Sequence, residues 1–355
     1  PEPEEPDRFT TSARLFDVDC DGDLDLIGFR LASGSIPSAG DSTPAASFIF
    51  GNNRDGSFVD LSATLGLALS DTAVAAAIYD DFDNDRDTDL VVFPAGDAEA
   101  MAWVNGRVWQ YEIRDAAATG LAARGVVGVT SGDPDKDADR DLLVFTQKGV
   151  ELYLNQGDFR FDADEAFARQ WGSLGGTGGQ FADIDNDGDV DLVIADARRA
   201  NGGRGPALLI NDRPRDGFLN AAELDPGHLF AAVETKGDAS CVVADFTGSG
   251  RCDVLLASMG EAPRLLENVT PGGHWIQFDL VGARPKDTRT RTSNSAIGAR
   301  VEAKSGTLSQ QHVVGVPSGP VASPPLRVHA GLGDNPKLDW VRIMWPDGVL
   351  QAELE

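Results

Sequence analysis

Five segments of the chain repeat one pattern in which Asp occupies alternate positions, and this repeat constrains the fold more than any other feature. The segments begin at residues 17, 81, 133, 183 and 245, so their starts are 64, 52, 50 and 62 residues apart. In the first four segments Asp occupies positions one, three, five, seven and nine, and in the fifth only positions one and nine. Self-similarity over such a period indicates a solenoid, a propeller or another repeat array.

A second landmark recurs in every repeat, a short and mostly apolar stretch that ends in Asn 22 to 35 residues after the first Asp. Apolar runs such as residues 76–79 and 90–93 flank the acidic segments, and they are too short for buried helices but suit strands. Each unit is therefore predicted to form about four strands, with the acidic segment as the loop between the first two. Four strands per unit of 50–64 residues predict an all-β chain built as a β-propeller.

The acidic loops have the composition of a cation site. Five carboxylates within nine residues repel one another, so a loop of this kind is stable only if a cation neutralises it. Alternating oxygen ligands, Gly at position six and a final acidic residue are typical of a wrapped site for a hard cation. Carboxylate-rich coordination favours Ca²⁺ over Mg²⁺, which keeps more water, and over Zn²⁺, which prefers nitrogen and sulfur. The alternative is a set of solvated acidic turns, but four near-identical loops in register with a repeat favour the metal.

We predict about four calcium sites, with side-chain ligands at positions one, three, five and nine and a backbone carbonyl at position seven. Loops one and four have Gly22 and Gly188 at position six and are predicted to bind best. Arg86 and Ala138 must form the same turn with a Cβ, at a cost of about 1 kcal/mol. The fifth loop, residues 245–253 between Asp245 and Asp253, has Thr and Ser at positions three and five and is predicted to bind weakly or not at all. The predicted metal-site residues are Asp17, Asp19, Asp21, Asp23, Asp25, Asp81, Asp83, Asp85, Asp87, Asp89, Asp133, Asp135, Asp137, Asp139, Asp141, Asp183, Asp185, Asp187, Asp189 and Asp191.

Two of the three Cys bracket the fifth loop. Cys241 and Cys252 are eleven residues apart, and a disulfide between them would staple a loop where calcium no longer does. Loop entropy makes such a bridge worth about 3 kcal/mol. The alternative is a pair of small buried core residues. Cys20 lies inside the first loop and is predicted to be free.

The net charge is −27, from 57 Asp and Glu against 30 Lys and Arg. The loops hold 22 Asp, five in each of four loops and two in the fifth, so most of the imbalance belongs to the predicted metal sites. The excess argues against nucleic acid and anionic lipid as partners, and no apolar run is long enough to predict membrane insertion. The chain begins at Pro1 without Met, which indicates a processed or trimmed product.

From about residue 269 the acidic repeat stops and Lys and Arg become more frequent, while strand-like alternation continues in residues 274–281 and 338–345. We therefore divide the chain into a repeat domain, residues 1–268, and a small β domain, residues 269–355.

The repeats resemble FG-GAP/VCBS repeats, and the runs Ile-Gly-Ala-Arg-Val at 297–301 and Trp-Pro-Asp-Gly at 345–348 resemble those of the ASPIC/UnbV domain. Together they resemble the family of cartilage acidic protein and its bacterial relatives. The resemblance implies a secreted, calcium-stabilised propeller, usually of seven blades, with a C-terminal β domain. Only five repeats are visible, so the ring has five blades, or the tail and chain ends supply the rest, or the chain is a fragment. Related tails continue past residue 348 into a further strand, and its absence here is predicted to leave a sheet edge open for pairing.

The catalytic inventory is poor, with four His in no close pair, no Gly-x-Ser-x-Gly elbow and no phosphate-binding loop. We therefore predict a non-enzymatic, secreted calcium-binding structural or adhesive protein of the extracellular matrix or of a cell surface such as a bacterial one. The alternatives are a self-assembling filament or surface-layer subunit, a receptor for a protein or glycan ligand, and a metal-dependent biosynthetic enzyme. A lectin would show an aromatic cluster on one face, for which Trp103, Trp109 and Trp171 are candidates, although packing in the blade core is their expected use.

Overall fold

The structure is a computed structural model of the chain, and almost all of its regular secondary structure is β. The helices of the described residues are short: α1 (Ala116–Thr119), α2 (Glu165–Trp171) with a 3-10 turn after it (Gly172–Leu174), and α3 (Leu229–Ala232). No helix in this part of the chain has the length and apolar character needed to cross a bilayer. The described residues are 8–18, 22–32, 47–53, 55–62, 73–106, 110–199, 201–212, 217–220, 229–282, 292–315, 323 and 325–354.

Five antiparallel sheets follow one another along the chain, one for each acidic repeat, and are named blades 1–5. In each blade the strands pair in chain order, and the acidic loop joins the first strand to the second, as predicted. Within the described residues blade 5 has three strands and the others have four. Blade 1 consists of β1 (Arg8–Phe16), β2 (Asp25–Ala32), β3 (Phe48–Asn52) and β4 (Phe58–Asp60). Blade 2 consists of β5 (Val74–Asp80), β6 (Asp89–Pro94), β7 (Met101–Asn105) and β8 (Tyr111–Asp115). Blade 3 consists of β9 (Val126–Gly132), β10 (Asp141–Thr146), β11 (Val150–Asn155) and β12 (Phe161–Ala163). Blade 4 consists of β13 (Gly179–Ala182), β14 (Asp191–Arg198), β15 (Arg204–Asp212) and β16 (Gly217–Asn220), and blade 5 of β17 (Ala239–Ala244), β18 (Asp253–Ser258) and β19 (Arg264–Leu266).

Consecutive blades pack face to face, as in a propeller, and the hydrophobic core lies between them. The first strands adjoin in the order β1, β5, β9, β13, β17, and among the described residues no comparable packing joins β17 to β1. Between blades 2 and 3, Phe82, Phe159 and Phe161 are fully buried and meet edge to face with ring centroids 5.4 to 5.9 Å apart. Such pairs contribute about 0.5–1.5 kcal/mol beyond the area that they bury.

The C-terminal segment forms two further sheets from β20 (His274–Phe278), β21 (Arg300–Ser305), β22 (Leu308–Val313), β23 (Val328–Gly333), β24 (Trp340–Met344) and β25 (Leu350–Leu354). Strand β20 pairs with β23, and the other sheet has the order β22-β21-β24-β25. The prediction that the last strand is missing is wrong. A turn at Gly348, with a φ of 82°, reverses the chain so that β25 pairs with β24 along its whole length. The predicted sheet edge is therefore that of β25, and its pairing with another chain stays a prediction.

Candidate metal centre

The acidic loops share a backbone conformation with two left-handed residues. Positions are counted from the first Asp of each loop, which is position one. A left-handed backbone costs a residue with a Cβ about 1 kcal/mol or more, and Asn tolerates it better than most residues. The prediction that Arg86 and Ala138 form the turn at position six is confirmed. The left-handed residue at position four was not foreseen, although its frequent Asn was a usable signal. The φ angles are 74° to 94° at position six, at Gly22, Arg86, Ala138, Gly188 and Gly250. They are 60° to 71° at position four where it is described, at Asn84, Lys136, Asn186 and Gly248.

The carboxylate at position one closes each loop. Its Oδ2 atom accepts a hydrogen bond from the backbone N–H at position six in all five loops, at 2.8 to 3.2 Å. Its Oδ1 atom is buried and has no hydrogen-bond partner among the described residues at Asp81, Asp133 and Asp183. A buried charged oxygen is costly unless a partner or a cation satisfies it. These three atoms therefore fit a bound cation.

The carboxylate at position nine is held from two sides. In every repeat its Oδ1 accepts from the backbone N–H of the landmark Asn, at 2.7 to 2.9 Å. In four loops its Oδ2 accepts from the N–H at position two, at 2.8 to 3.1 Å. In loop three position two is Pro134, which has no N–H, and Oδ2 of Asp141 is buried without a partner in the described residues. Burial raises the pKa of Asp141 to about 9.

In each of three consecutive loops, carboxylate oxygens lie close enough together to bind one cation. In each of these loops one oxygen from each of three Asp lies within 4.8 Å of the others. Since Ca²⁺ binds oxygen at about 2.3–2.6 Å, ligands on opposite sides of one ion are about 5 Å apart. The groups use position one, position three and either position five or position nine, all among the predicted side-chain ligands. The members are Asp81, Asp83 and Asp85 in loop two, Asp133, Asp135 and Asp141 in loop three, and Asp183, Asp185 and Asp191 in loop four.

The other predicted ligands are not gathered in these groups. Asp89 at position nine is bonded as described above, and Asp137 and Asp187 at position five lie in the same loops as two of the groups. In loop one, Asp17 and Asp25 make the same hydrogen bonds as their counterparts, whereas Asp19, Asp21 and the neighbouring Cys20 lie outside the described residues.

Side chains at position seven contact the preceding loop instead of joining the groups. Asp139 accepts a hydrogen bond at 2.5 Å from Nδ2 of Asn84, and Asp189 forms an ion pair with Lys136. In both cases a side chain at position four reaches position seven of the following loop. These contacts are compatible with a backbone carbonyl as the ligand at position seven. That ligand stays a prediction, both here and in loops one and two, where Asp23 and Asp87 occupy position seven.

Burial and mutual repulsion disfavour the charged form of the gathered carboxylates. Burial is the largest effect, and it raises the pKa of Asp81 and Asp183 to about 7. Burial, together with neighbouring carboxylates of the same loop, raises the pKa of Asp133 and Asp185 to about 6. A cation bound among these groups removes both penalties, because it favours the ionised form.

Loop five satisfies its own polar atoms. Asp245 accepts from the backbone N–H of Ser249 and of Gly250, both at 2.9 Å, and Asp253 accepts from the Thr247 hydroxyl at 3.0 Å. Hydroxyls thus supply hydrogen bonds where the other loops have further carboxylates. This arrangement supports the interpretation of loop five as a degenerate site.

The predicted disulfide between Cys241 and Cys252 is wrong, because both residues are free and buried. Strand pairing places Cys241 opposite Leu256, and both cysteines belong to the apolar cluster between blades 4 and 5. Burial raises the pKa of the Cys241 thiol to about 12, so it stays protonated at neutral pH. The alternative reading, two small core residues, is the correct one.

The landmark Asn residues connect neighbouring blades, a role that the sequence did not reveal. The Nδ2 group of the Asn donates to the carbonyl at position two of the preceding blade's loop, at 2.7 to 3.2 Å. One side chain thus links the loop of its own blade, through its backbone N–H, to the loop before it. The four residues are Asn105, Asn155, Asn211 and Asn268.

We expect Asn155→Ala to lower the free energy of unfolding by about 2 kcal/mol. Its Nδ2 donates to the carbonyls of Phe82 and Arg140 at 2.8 and 3.2 Å, and the residue is fully buried, so the substitution leaves buried carbonyls unsatisfied. The measurement is urea unfolding, with Asn53→Ala as the control because Asn53 is exposed and bonds only within its own turn. An unchanged midpoint for Asn155→Ala would contradict the bridging role.

Comparison with protein families matches the two parts of the chain separately. Residues 133–194, from loop three through loop four, match the FG-GAP-like repeat, and residues 289–354 match ASPIC and UnbV. The chain carries an FG-GAP-like repeat and a C-terminal ASPIC/UnbV domain. No curated protein matches the chain.

Two solved structures align with the chain at low TM-scores. An Agrocybe aegerita lectin that recognises non-reducing terminal N-acetylglucosamine aligns with a TM-score of 0.42 and 18% identity, over 76% of this chain and 72% of the lectin. The V. cholerae biofilm matrix protein Bap1 aligns with a TM-score of 0.33 and 10% identity, over 99% of this chain and 60% of Bap1. At these TM-scores neither similarity bears on function.

The ASPIC/UnbV region docks directly on the candidate metal loops. In loop four, Asp183 Oδ2 accepts from the backbone N–H of Gly331 at 3.1 Å, and the Asn186 carbonyl accepts from that of Gly333 at 2.8 Å. The imidazole of His329 contacts Asn186 Oδ1 at 2.7 Å. In loop two, Arg300 reaches Asp81 Oδ2 at 2.6 Å. The same carboxylates that could hold a cation therefore also hold the C-terminal sheets.

Proposed function

We propose that the chain is a calcium-binding structural or adhesive protein of a cell surface or extracellular matrix, in which Ca²⁺ rigidifies the blades. The observation that carries the proposal is the gathering of three carboxylates in each of three consecutive loops, each with a buried position-one oxygen that lacks a hydrogen-bond partner among the described residues. The ligands would be the Asp side chains at positions one, three, five and nine of loops one to four, with the backbone carbonyl at position seven.

A structural role follows from what each loop joins. It connects two strands of one blade, receives the landmark Asn of the next blade, and in loops two and four it contacts the C-terminal sheets. An ion that fixes the loop therefore fixes three neighbouring parts of the chain at once. Calcium sites of extracellular modules bind at about 10⁻⁴–10⁻³ M. The matched families are mainly non-catalytic repeat or structural domains, which favours this role over an enzyme.

We expect Asp183→Asn to remove one calcium site, whereas Asp245→Asn leaves the stoichiometry unchanged. Both residues occupy position one and both accept from a position-six N–H at 2.9 Å, so each substitution alters the same turn hydrogen bond. Each carboxylate also accepts one bond at 3.1 Å from the C-terminal sheets, Asp183 from Gly331 and Asp245 from Gln277. They differ because Asp183 belongs to a gathered group and Asp245 does not, among the residues described. Calorimetric titration with CaCl₂ gives the stoichiometry, and equal binding by the two variants would contradict the assignment of the sites.

A further inference from the structure

A cavity of about 490 Å³ lies between the repeat domain and the C-terminal sheets. Blades 3, 4 and 5 line it from one side, through β9, β13 and β17, and β20, β22 and β23 line it from the other. Small-molecule sites in proteins typically measure about 300–1,000 Å³. Asp133 and Asp183 of the gathered groups, together with Asp245, reach its wall.

The mouth of the cavity carries no unbalanced charge. Arg327 donates to both carboxylate oxygens of Asp279 at 2.8 and 2.7 Å, and both side chains are at least half exposed. Leu326 beside them is 41% exposed. A bidentate pair of this kind leaves neither partner available to select an ion.

The charged group at the inner end is also neutralised. The Arg140 guanidinium is buried, and it donates to Asp80 Oδ2 at 2.7 Å and to the Ser131 hydroxyl at 3.2 Å. With its counter-ion in place, Arg140 does not offer a site for an anionic ligand. The aspartates on the wall further oppose an anion.

Neutral hydrogen-bonding groups line another part of the inner surface. Gln310 Nε2 donates to the Gly331 carbonyl at 2.5 Å, so its Oε1 faces His312 Nε2, which is 3.1 Å away and must carry the hydrogen. His312 Nδ1 is then an acceptor, and in the described residues no hydrogen bond engages it. Burial lowers the pKa of His312 to about 4, so the ring is neutral. The buried Thr130 hydroxyl likewise has no described hydrogen-bond partner.

Apolar side chains lie next to these polar groups. Phe181, Val313 and Val328 line the same cavity as Thr130 and His312. Alternating apolar patches and uncharged donors and acceptors complement a ligand that has both C–H faces and hydroxyls. We propose that this cavity binds an uncharged polyhydroxylated ligand, the terminal sugar of a neutral glycan, a function separate from the structural calcium sites.

The test is binding of the whole chain, in calcium-containing buffer, to immobilised neutral, acidic and cationic glycans. We expect a neutral glycan to bind, and Thr130→Val, which has nearly the same shape, to weaken that binding about tenfold through loss of one buried hydroxyl. Ser57→Ala is the control, because its hydroxyl lies in an exposed turn of blade 1. Equal melting temperatures of the variants establish that folding is unchanged.

A second measurement does not depend on a variant. Binding of the neutral glycan should slow hydrogen exchange in residues 129–132 and 311–314, on opposite walls of the cavity, and not in blade 1. Binding of charged glycans alone, of no glycan, or of a neutral glycan with unchanged exchange in both segments would overturn the proposal. The calcium stoichiometry of Thr130→Val is measured as well. If it is retained, failure of the glycan proposal is distinguished from failure of the calcium proposal.

Discussion

Removal of calcium with a chelator is expected to lower the melting temperature of the chain by roughly 10 °C or more. A ligand that binds only the folded state stabilises it by about 2.7 kcal/mol per site at a hundredfold excess over its Kd. Three gathered groups would together contribute about 8 kcal/mol, and 1 kcal/mol shifts the midpoint of a large domain by roughly 2 °C. The chelated protein also has to keep buried carboxylates close together without a counter-ion, which adds to the loss.

The measurement is a thermal scan in calcium, in chelator, and in chelator followed by excess Ca²⁺ or excess Mg²⁺. Calcium should restore the midpoint fully and Mg²⁺ only in part, because Mg²⁺ is smaller and gives up its water reluctantly. A chelated protein that melts at the same temperature as the calcium-treated one would remove the calcium proposal. Full restoration by Mg²⁺ would leave a cation site but change its identity.

The repeat made most of the blade architecture predictable. Apolar runs such as residues 90–93 and 142–145 specify the buried second strands, and the acidic segments between strands specify the loops. The turn at position six could be predicted from Gly22 and Gly188, because the turn needs a left-handed backbone and glycine adopts that backbone at low cost. Local rules were sufficient here, since each feature depends on residues within a few positions of one another.

Contacts between distant residues were the part that the sequence did not reveal. The landmark Asn was visible as a repeat, but its Nδ2 partner lies 73 to 87 positions away in four cases, within the preceding blade. The disulfide prediction failed for a related reason. Spacing suggested that Cys241 and Cys252 could meet, but register placed Cys241 across from Leu256. The ASPIC/UnbV motifs indicated a second domain and could not indicate which loops it covers.

The docking of the ASPIC/UnbV region on loop four leads to the second prediction with a large effect. We expect Gly331→Ala to lower the melting temperature by several degrees and to weaken one calcium site about tenfold or more. A Cβ at this position would lie 2.1 Å from Asp183 Oδ2 and 2.5 Å from the Asn186 Cα. Since backbone atoms cannot move aside cheaply, β23 has to withdraw from the loop, at a cost of about 1–3 kcal/mol.

Linkage makes the effect reciprocal. Asp183 Oδ2 accepts from both Gly188 and Gly331, so withdrawal of β23 alters a residue that also belongs to a gathered group. If docking raises calcium affinity at loop four, then calcium must tighten docking by the same factor. Chelation should therefore speed hydrogen exchange in residues 329–333 before the blades unfold, and Gly331→Ala should show that faster exchange even with calcium present.

The matched control is Gly237→Ala, because a Cβ there would meet only Met259, at an ordinary 3.4 Å from its Cβ. It should leave the calcium titration and the exchange of residues 329–333 unchanged. If Gly331→Ala behaves like this control, the C-terminal sheets do not bear on loop four, and the coupling is wrong while the calcium sites stand. If it lowers the melting temperature without changing the calcium titration, docking stabilises the fold but is independent of the ion. Only weaker calcium binding together with faster exchange at residues 329–333 supports a shared carboxylate as the link between the two halves of the chain.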